Sequence, residues 1–120
     1  MSACGRLMTD WFFPDAYLPN PKDGVSHEAV CVLNIGTEDA AIDLTLYFED
    51  KEFMAGFHSV CPANRTSHIR IDKIKNKEGK SVPSDVPYAI WVHSSKPILC
   101  QYTRVDASAP PRTMITTMGL

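Results

Sequence analysis

The stretch Ala41-Ile42-Asp43-Leu44-Thr45-Leu46-Tyr47-Phe48-Glu49 decides the fold class of this chain. Its apolar side chains occupy every second position, and mostly polar side chains lie between them. Successive side chains of a β-strand point to opposite faces, so Ile42, Leu44, Leu46 and Phe48 would share one face. The pattern predicts a half-buried antiparallel strand with these four residues turned toward a core.

The same period of two continues on both sides of this stretch, in short runs separated by turn-forming residues. The predicted strands cover residues 5–13, 28–35, 41–49, 56–61, 65–71, 88–93, 98–106 and 113–118. No segment has a convincing helical period. The sequence therefore predicts an all-β protein with a single domain over residues 1–120, an antiparallel β-sandwich or jelly-roll-like fold of about eight strands.

Turn-forming residues also predict how consecutive strands connect. They are concentrated at residues 34–39, 62–64 and 94–97. We expect each of the first two groups to join the flanking strands as an antiparallel pair. The third group, which includes Pro97, is expected to turn the chain between strands 88–93 and 98–106.

Composition restricts the classes of function. The chain has 120 residues, a net charge of −2 and 22% charged residues, as is ordinary for one globular domain. The local basic run, from Lys73 to Lys80, lies among Gly and Pro and contains no aromatic residue. It is better explained as a solvated loop than as a nucleic-acid surface, so nucleic acid is an unlikely partner.

The cysteines indicate a reducing compartment. Cys4, Cys31, Cys61 and Cys100 are dispersed, without CxxC spacing, and we recognise no secretory leader. We therefore expect a cytoplasmic protein with free thiols. No apolar run approaches the roughly 20 residues of a membrane-spanning helix, so a membrane receptor would be contacted peripherally.

Catalytic and metal-binding motifs are not recognisable in the sequence. His27, Glu28, His68 and His93 are the residues that could suggest a metal site, but their spacing matches no compact ligand motif. There is also no GxSxG elbow, nucleophilic cysteine signature or glycine-rich phosphate loop. We predict no metal, no cofactor and no enzymatic activity.

Polar residues within predicted strands are the more informative feature. In the strand 98–106, Gln101 would project from one face and Arg104 from the other; Arg65 interrupts another strand, and Trp11 lies in the first. Tryptophan rings pack on the apolar faces of sugar-like ligands, while planar polar groups bind hydroxyls. The alternative is that these residues form exposed strand faces, or a buried Arg–Asp pair that holds the sandwich or a subunit contact.

Five stretches of the chain, in order, resemble the sensory rhodopsin transducer family. Together they extend over most of the sequence: Trp11 with Tyr17-Leu18-Pro19, residues 26–34, Tyr47-Phe48 with Asp50-Lys51-Glu52, residues 60–70 and residues 97–106. Each stretch alone is a weak signal, but five in order from about residue 5 to residue 118 are specific.

The resemblance implies a compact cytoplasmic β-sandwich that forms a homotetramer, and the two-sided apolar strand 28–35 agrees with such self-association. It also implies sensing or transduction, in one branch coupled to a microbial sensory rhodopsin, and binding of small molecules, with sugars or related metabolites as ligands. The matching positions place six residues in a ligand pocket or subunit contact: Trp11, His27, Glu28, Arg65, Gln101 and Arg104.

Three functions therefore stand beside one another. The first is a non-catalytic module that binds a small polar ligand and signals to a protein partner. The second is a transducer without a ligand that docks on a membrane photoreceptor. The third, which the lack of a catalytic motif disfavours, is an enzyme acting on carbohydrate.

Overall fold

A computed structural model describes residues 6–19, 27–106 and 113–118 of the chain. Seven antiparallel strands make up this part: β1 (Met8–Tyr17), β2 (His27–Asn34), β3 (Ala40–Phe48), β4 (Met54–Cys61), β5 (Arg65–Arg70), β6 (Pro87–Asp106) and β7 (Thr113–Met118). The described residues contain no helix, so the predicted all-β antiparallel class is confirmed.

The strands form two layers that share β6. In the first layer, called sheet A, the order is β1-β6-β3-β4, with the first half of β6 between β1 and β3. In the second, called sheet B, the order is β7-β6-β2-β5, with the second half of β6 between β7 and β2. The long central strand therefore connects the two layers covalently.

The prediction of a turn at residues 94–97 was wrong, and this accounts for seven strands instead of about eight. The segment stays extended because this is where β6 leaves one sheet and enters the other. Ser94 is the last residue of β6 paired with β3, and Leu99 is the first paired with β2. Pro97 lacks a backbone N–H, but it lies in the transition where neither pairing requires one.

The two predicted consecutive pairs were also wrong. The chain crosses from sheet B to sheet A between β2 and β3, and back again between β4 and β5. Asn64 makes the second crossing possible with φ = 55°, a left-handed conformation that asparagine tolerates better than most residues. Among the described strands, the consecutive strands that pair with each other are β3 with β4 and β6 with β7.

One apolar core fills the space between the layers. Side chains at alternate positions enter it, including Ile42, Leu44 and Leu46 from the stretch that predicts the fold. Along β6 the even-numbered residues from Tyr88 to Tyr102 are buried, except Lys96 at the transition. The same face of β6 is therefore turned inward in both layers. Trp11, Phe13, Phe57 and Ile98 are among the larger side chains packed there.

The cysteines and the long loop follow the same division between inside and outside. Cys61 and Cys100 are buried free thiols, and burial raises the pKa of Cys100 to about 12. Cys31 is a half-buried free thiol, while Cys4 lies outside the described residues. The basic run from Lys73 to Lys80 lies in the connection between β5 and β6, where its lysines are exposed, as predicted for a solvated loop. The side chain of the buried Asn76 holds this loop by accepting from the backbone N–H groups of Glu78 and Lys80. In the part of the chain that is described, no helix is long and apolar enough to cross a membrane.

Candidate functional site

Glu28 is a fully buried carboxylate at the second position of β2. Strand alternation turns this side chain inward, between the layers. The hydroxyl of Tyr88 donates a hydrogen bond to Oε1, and the hydroxyl of Tyr102 donates one to Oε2. The backbone N–H of Tyr17 also donates to Oε2, at 3.0 Å. The carboxyl group therefore joins β1, β2 and both halves of β6.

Burial dominates the ionisation of this site. Loss of solvation raises the pKa of Glu28 above its usual range, although the hydrogen bonds from the two tyrosines and the charge of Arg104 act in the opposite direction. Burial together with the neighbouring carboxylate also raises the pKa values of Tyr88 and Tyr102. Both phenols therefore remain hydrogen-bond donors at neutral pH.

Arg104 completes this group at the end of the sandwich. Its guanidinium carbon lies 6.0 Å from the centre of the Tyr17 ring, within reach of a cation–π contact. The hydroxyl of Tyr17 donates to Asp85 at 3.2 Å, and Asp85 has φ = 60°, an uncommon conformation for a residue other than glycine. We call Tyr17, Glu28, Tyr88, Tyr102 and Arg104 the tyrosine–glutamate cluster.

An open cleft of about 490 Å³ lies beside the cluster. The end of β1, the end of β3 and the start of β6 supply its lining, namely Pro14, Asp15, Tyr47, Phe48, Glu49, Pro87, Tyr88 and Ala89. The register between β1 and β6 shifts between Phe13 and Ala16, at the cleft wall. Such irregularities redirect side chains locally and are common beside functional sites.

The cleft combines aromatic surface with carboxylates. Tyr47 is 43% exposed and has its ring 6.0 Å from that of Phe53, while Phe48 packs 6.1 Å from Tyr88. Asp15 and Glu49 supply hydrogen-bond acceptors. Tyr88 belongs both to the cleft and to the tyrosine–glutamate cluster, so the two sites share a side chain.

The six residues predicted as a ligand site lie in several places. Glu28 and Arg104 come together, since they are partners in the β2–β6 register, and His27 is opposite Val105 in the next register position. Gln101 faces outward and lines a depression of about 220 Å³ on sheet B, with Cys31 and His68.

The other two lie farther away. Arg65, at the start of β5, is exposed, and its Nη1 donates to the carbonyl of Asn64. Trp11 is only 2% exposed, and its indole N–H donates to the carbonyls of Met8 and Ile98 at 3.1 and 3.0 Å. The structure gives Trp11 a position in the core.

Sequence reasoning missed the tyrosines that define the site. Tyr88 and Tyr102 occupy inward positions of β6, where a phenol needs a hydrogen-bond partner. Glu28 sits at an inward position of β2 and has the same need. The inward position of these three polar residues could have indicated that they bind one another. Assigning them to one site, however, also required knowing that β2 lies beside β6.

The outer face of sheet A carries a second polar group. Asp10, His93, Asp43 and His58 form a row across its four strands. The Oδ1 atom of Asp10 lies 2.8 Å from His93 Nδ1 and accepts a hydrogen bond from Trp91 Nε1 at 2.8 Å. These bonds lower the pKa of Asp10. Within the described residues, no group of three or more His, Cys, Asp or Glu side chains could hold a metal ion.

Fold and site together define an antiparallel β-sandwich with an open aromatic cleft and a buried polar cluster behind it. The particular family follows from the sequence. The family model described as Anabaena sensory rhodopsin transducer matches residues 6–120, and the chain belongs to this family. It is thereby a signal-transducing protein.

Two solved structures are similar to this chain. Thermotoga maritima 1070 is 35% identical with a TM-score of 0.82, over 99% of this chain and 96% of that one. The Anabaena sensory rhodopsin transducer is 33% identical with a TM-score of 0.71, over 85% of this chain and 100% of that one. No curated protein matches this chain.

Proposed function

We propose that this chain is a non-catalytic transducer that binds a small polar ligand, a sugar or related metabolite, and signals its occupancy to a protein partner. The observation that carries the proposal is the cleft of about 490 Å³ beside the tyrosine–glutamate cluster. Its volume falls in the range of about 300–1,000 Å³ that is typical of small-molecule sites.

The chemistry of the lining suits a ligand with hydroxyl groups. The exposed ring of Tyr47 offers a flat surface for the apolar face of a sugar ring. The carboxylates of Asp15 and Glu49 can accept hydrogen bonds from hydroxyls.

The residues predicted from the sequence have different places in this proposal. We assign Glu28 and Arg104 to the cluster behind Tyr88, where they support the cleft wall instead of contacting the ligand. Four other residues were predicted to contact a ligand: Trp11, His27, Arg65 and Gln101. None of them lines this cleft, and their contacts with a ligand stay predictions.

The signalling part of the proposal rests on the family. One solved relative is named as a sensory rhodopsin transducer. A ligand changes partner binding if it binds the two signalling states with different affinities.

We propose a cytoplasmic homotetramer that contacts a membrane receptor peripherally and needs neither nucleic acid nor cofactor. Light scattering coupled to gel filtration tests the assembly, and a monomeric mass would contradict it.

A matched pair of variants tests the ligand site. Tyr47 and Phe12 are aromatic residues on the same side of sheet A, 43% and 49% exposed, but only Tyr47 lines the cleft. A panel of sugars is screened by thermal shift, and hits are measured by calorimetric titration. We expect Tyr47→Ala to weaken binding about tenfold, because it removes an aromatic contact, and Phe12→Ala to leave binding unchanged.

Three outcomes would contradict the proposal. The first is a panel that yields no ligand, and the second is that Tyr47→Ala and Phe12→Ala reduce the affinities equally. The third is chemical conversion of a bound sugar, detected by product analysis, which would make the protein an enzyme.

The outer face of sheet A favours a second candidate, a transducer that docks on a membrane photoreceptor without a ligand. Phe12 and Trp91 stack there at 6.2 Å, with ring planes 12° apart, and Val60 on the same face is 47% exposed. Exposed apolar surface of this kind marks interaction sites. Under this candidate Phe12→Ala weakens receptor binding, and no sugar of the panel binds the protein.

A further inference from the structure

The contacts of the Glu28 carboxyl group are all satisfied as they stand when the group is ionised. Its oxygens accept from the Tyr88 hydroxyl, the Tyr102 hydroxyl and the Tyr17 backbone N–H. A carboxylate is a pure acceptor, so all three donors are satisfied while Glu28 is ionised. The main-chain oxygen of Glu28 is held independently by the N–H of Ile71, at 2.9 Å. A change of protonation therefore acts through the side chain.

Protonation forces one of these bonds to reverse or break. A carboxylic acid carries an O–H that needs an acceptor, and the groups around Glu28 are the donors named above. With the proton on Oε1, the Tyr88 hydroxyl must become the acceptor and turn its own hydrogen elsewhere. With the proton on Oε2, the Tyr102 hydroxyl must become the acceptor, and the hydrogen bond from the Tyr17 N–H to Oε2 is weakened. A buried group cannot exchange these partners freely for water.

Tyr88 connects this rearrangement to the surface. Its ring packs 6.1 Å from that of Phe48, and both residues line the cleft. We propose that Glu28 is a proton-operated positioning residue for the cleft, whose ionised and protonated forms hold Tyr88, and with it the wall at Phe48, in different arrangements. Its meaning as regulation rests on the ligand site proposed above, whereas the rearrangement itself does not.

The charged and titratable groups around Glu28 set the direction of the switch. β6 contributes Tyr88, Tyr102 and Arg104, and β1 contributes the backbone N–H of Tyr17. Burial raises the pKa of Glu28, so its protonation extends to a higher pH than that of an exposed glutamate. The positive charge of Arg104 opposes this, and the exchange is reversible. Acidification therefore moves the cleft toward the arrangement with Glu28 protonated.

Protons are the only probe that the test needs. Carboxyl and aromatic carbon signals are followed by NMR from about pH 4 to about pH 8, a range that includes ordinary and raised glutamate pKa values. We expect the Glu28 carboxyl signal to titrate above the usual value, and the ring signals of Tyr88 and Phe48 to move with the same midpoint. Glu28→Gln should abolish that movement. The control Glu38→Gln removes an exposed carboxylate that pairs with Lys96 at 3.2 Å, and should leave the movement unchanged.

A second variant keeps the test decisive if Glu28→Gln does not fold. Tyr88→Phe retains the ring but removes the hydroxyl that reports on Glu28, so Glu28 should still titrate while the Phe48 signal no longer follows it. The proposal is overturned if the cleft signals do not follow Glu28 in the unmodified protein. It is also overturned if they move equally in Glu28→Gln, which would assign the movement to another group, or if Phe48 still follows Glu28 in Tyr88→Phe. No sugar is involved, so failure here is separate from failure of the ligand proposal.

Discussion

Two carboxyl groups, one between the sheets and one on the outer face of sheet A, accept similar hydrogen bonds but have pKa values shifted in opposite directions. Glu28 accepts from two tyrosines and a backbone N–H, and Asp10 accepts from Trp91 and Thr9 and pairs with His93. The pKa of Glu28 is nevertheless raised, while that of Asp10 is lowered. Glu28 is fully buried, whereas the Asp10 side chain is 39% exposed. Desolvation therefore decides the sign, and hydrogen bonds alone do not.

The largest change in stability is expected when each carboxyl group is removed, and this tests the comparison. Glu28→Ala should reduce the free energy of unfolding by about 3–5 kcal/mol, because two buried phenols lose their acceptor. Asp10→Ala should cost at most about 1 kcal/mol, because water can replace the lost partner. Urea unfolding followed by tryptophan fluorescence measures both. Equal losses would show that the depth of burial is not what separates the two groups.

The pH dependence of stability should differ in sign between the two groups. Because the pKa of Glu28 is raised in the folded protein, protonated Glu28 contributes to stability. This contribution is complete below the pKa of the unfolded chain, about 4.3, and is lost as the pH rises through the pKa of the folded state. A lowered folded pKa makes the contribution of Asp10 present above about 3.9 and lost as pH falls through the folded value.

The matched variants are Glu28→Gln and Asp10→Asn, unfolded with urea across this pH range. The first should flatten the decrease in stability from about pH 4 toward neutrality, and the second should flatten the decrease at acid pH, with a smaller amplitude because Asp10 is partly solvated. A curve for Glu28→Gln parallel to that of the unmodified protein would mean that Glu28 titrates normally.

The smallest effect is expected at the other carboxylate of the outer row. Asp43 Oδ1 lies 3.0 Å from His58 Nδ1, and the two side chains are 59% and 55% exposed. Asp43→Asn should therefore change the free energy of unfolding by less than about 0.5 kcal/mol. A loss as large as that of Glu28→Ala would mean that this pair is buried in the assembled protein, and an accompanying change in mass by light scattering would confirm it.

The sequence predicted which face of a strand each side chain occupies, but it did not predict which strands pair with each other. Ile42, Leu44 and Leu46 lie in the core as their spacing predicts, and Gln101 and Arg104 project from opposite faces of β6. The face that a side chain occupies depends on one strand alone, so local sequence suffices. The pairing of β2 with β6 is a contact between distant segments, and turn-forming residues at 34–39 and 94–97 suggested connections that the sheets do not use.

The candidate site shows the same limit. Glu28 and Arg104 could be selected from the sequence, but their neighbours Tyr88 and Tyr102 could not, because no local pattern says which strand lies opposite. Trp11 was selected for the chemistry of its ring, yet its indole N–H is bonded to backbone carbonyls in the core. Residue type indicates what a side chain can bind, while its partners depend on the assembled sheets.

The shared strand β6 also determines when the chain can acquire its structure during synthesis. β1 pairs with β6, and β2 and β3 each need β6 on one side. Of the pairs within residues that leave the ribosome earlier, β3–β4 is local, but an isolated hairpin is at best marginally stable in water. We expect the nascent chain to remain largely unstructured until residues 87–106 have emerged. Until then its apolar strands stay exposed, a condition in which incompletely folded chains are prone to aggregate.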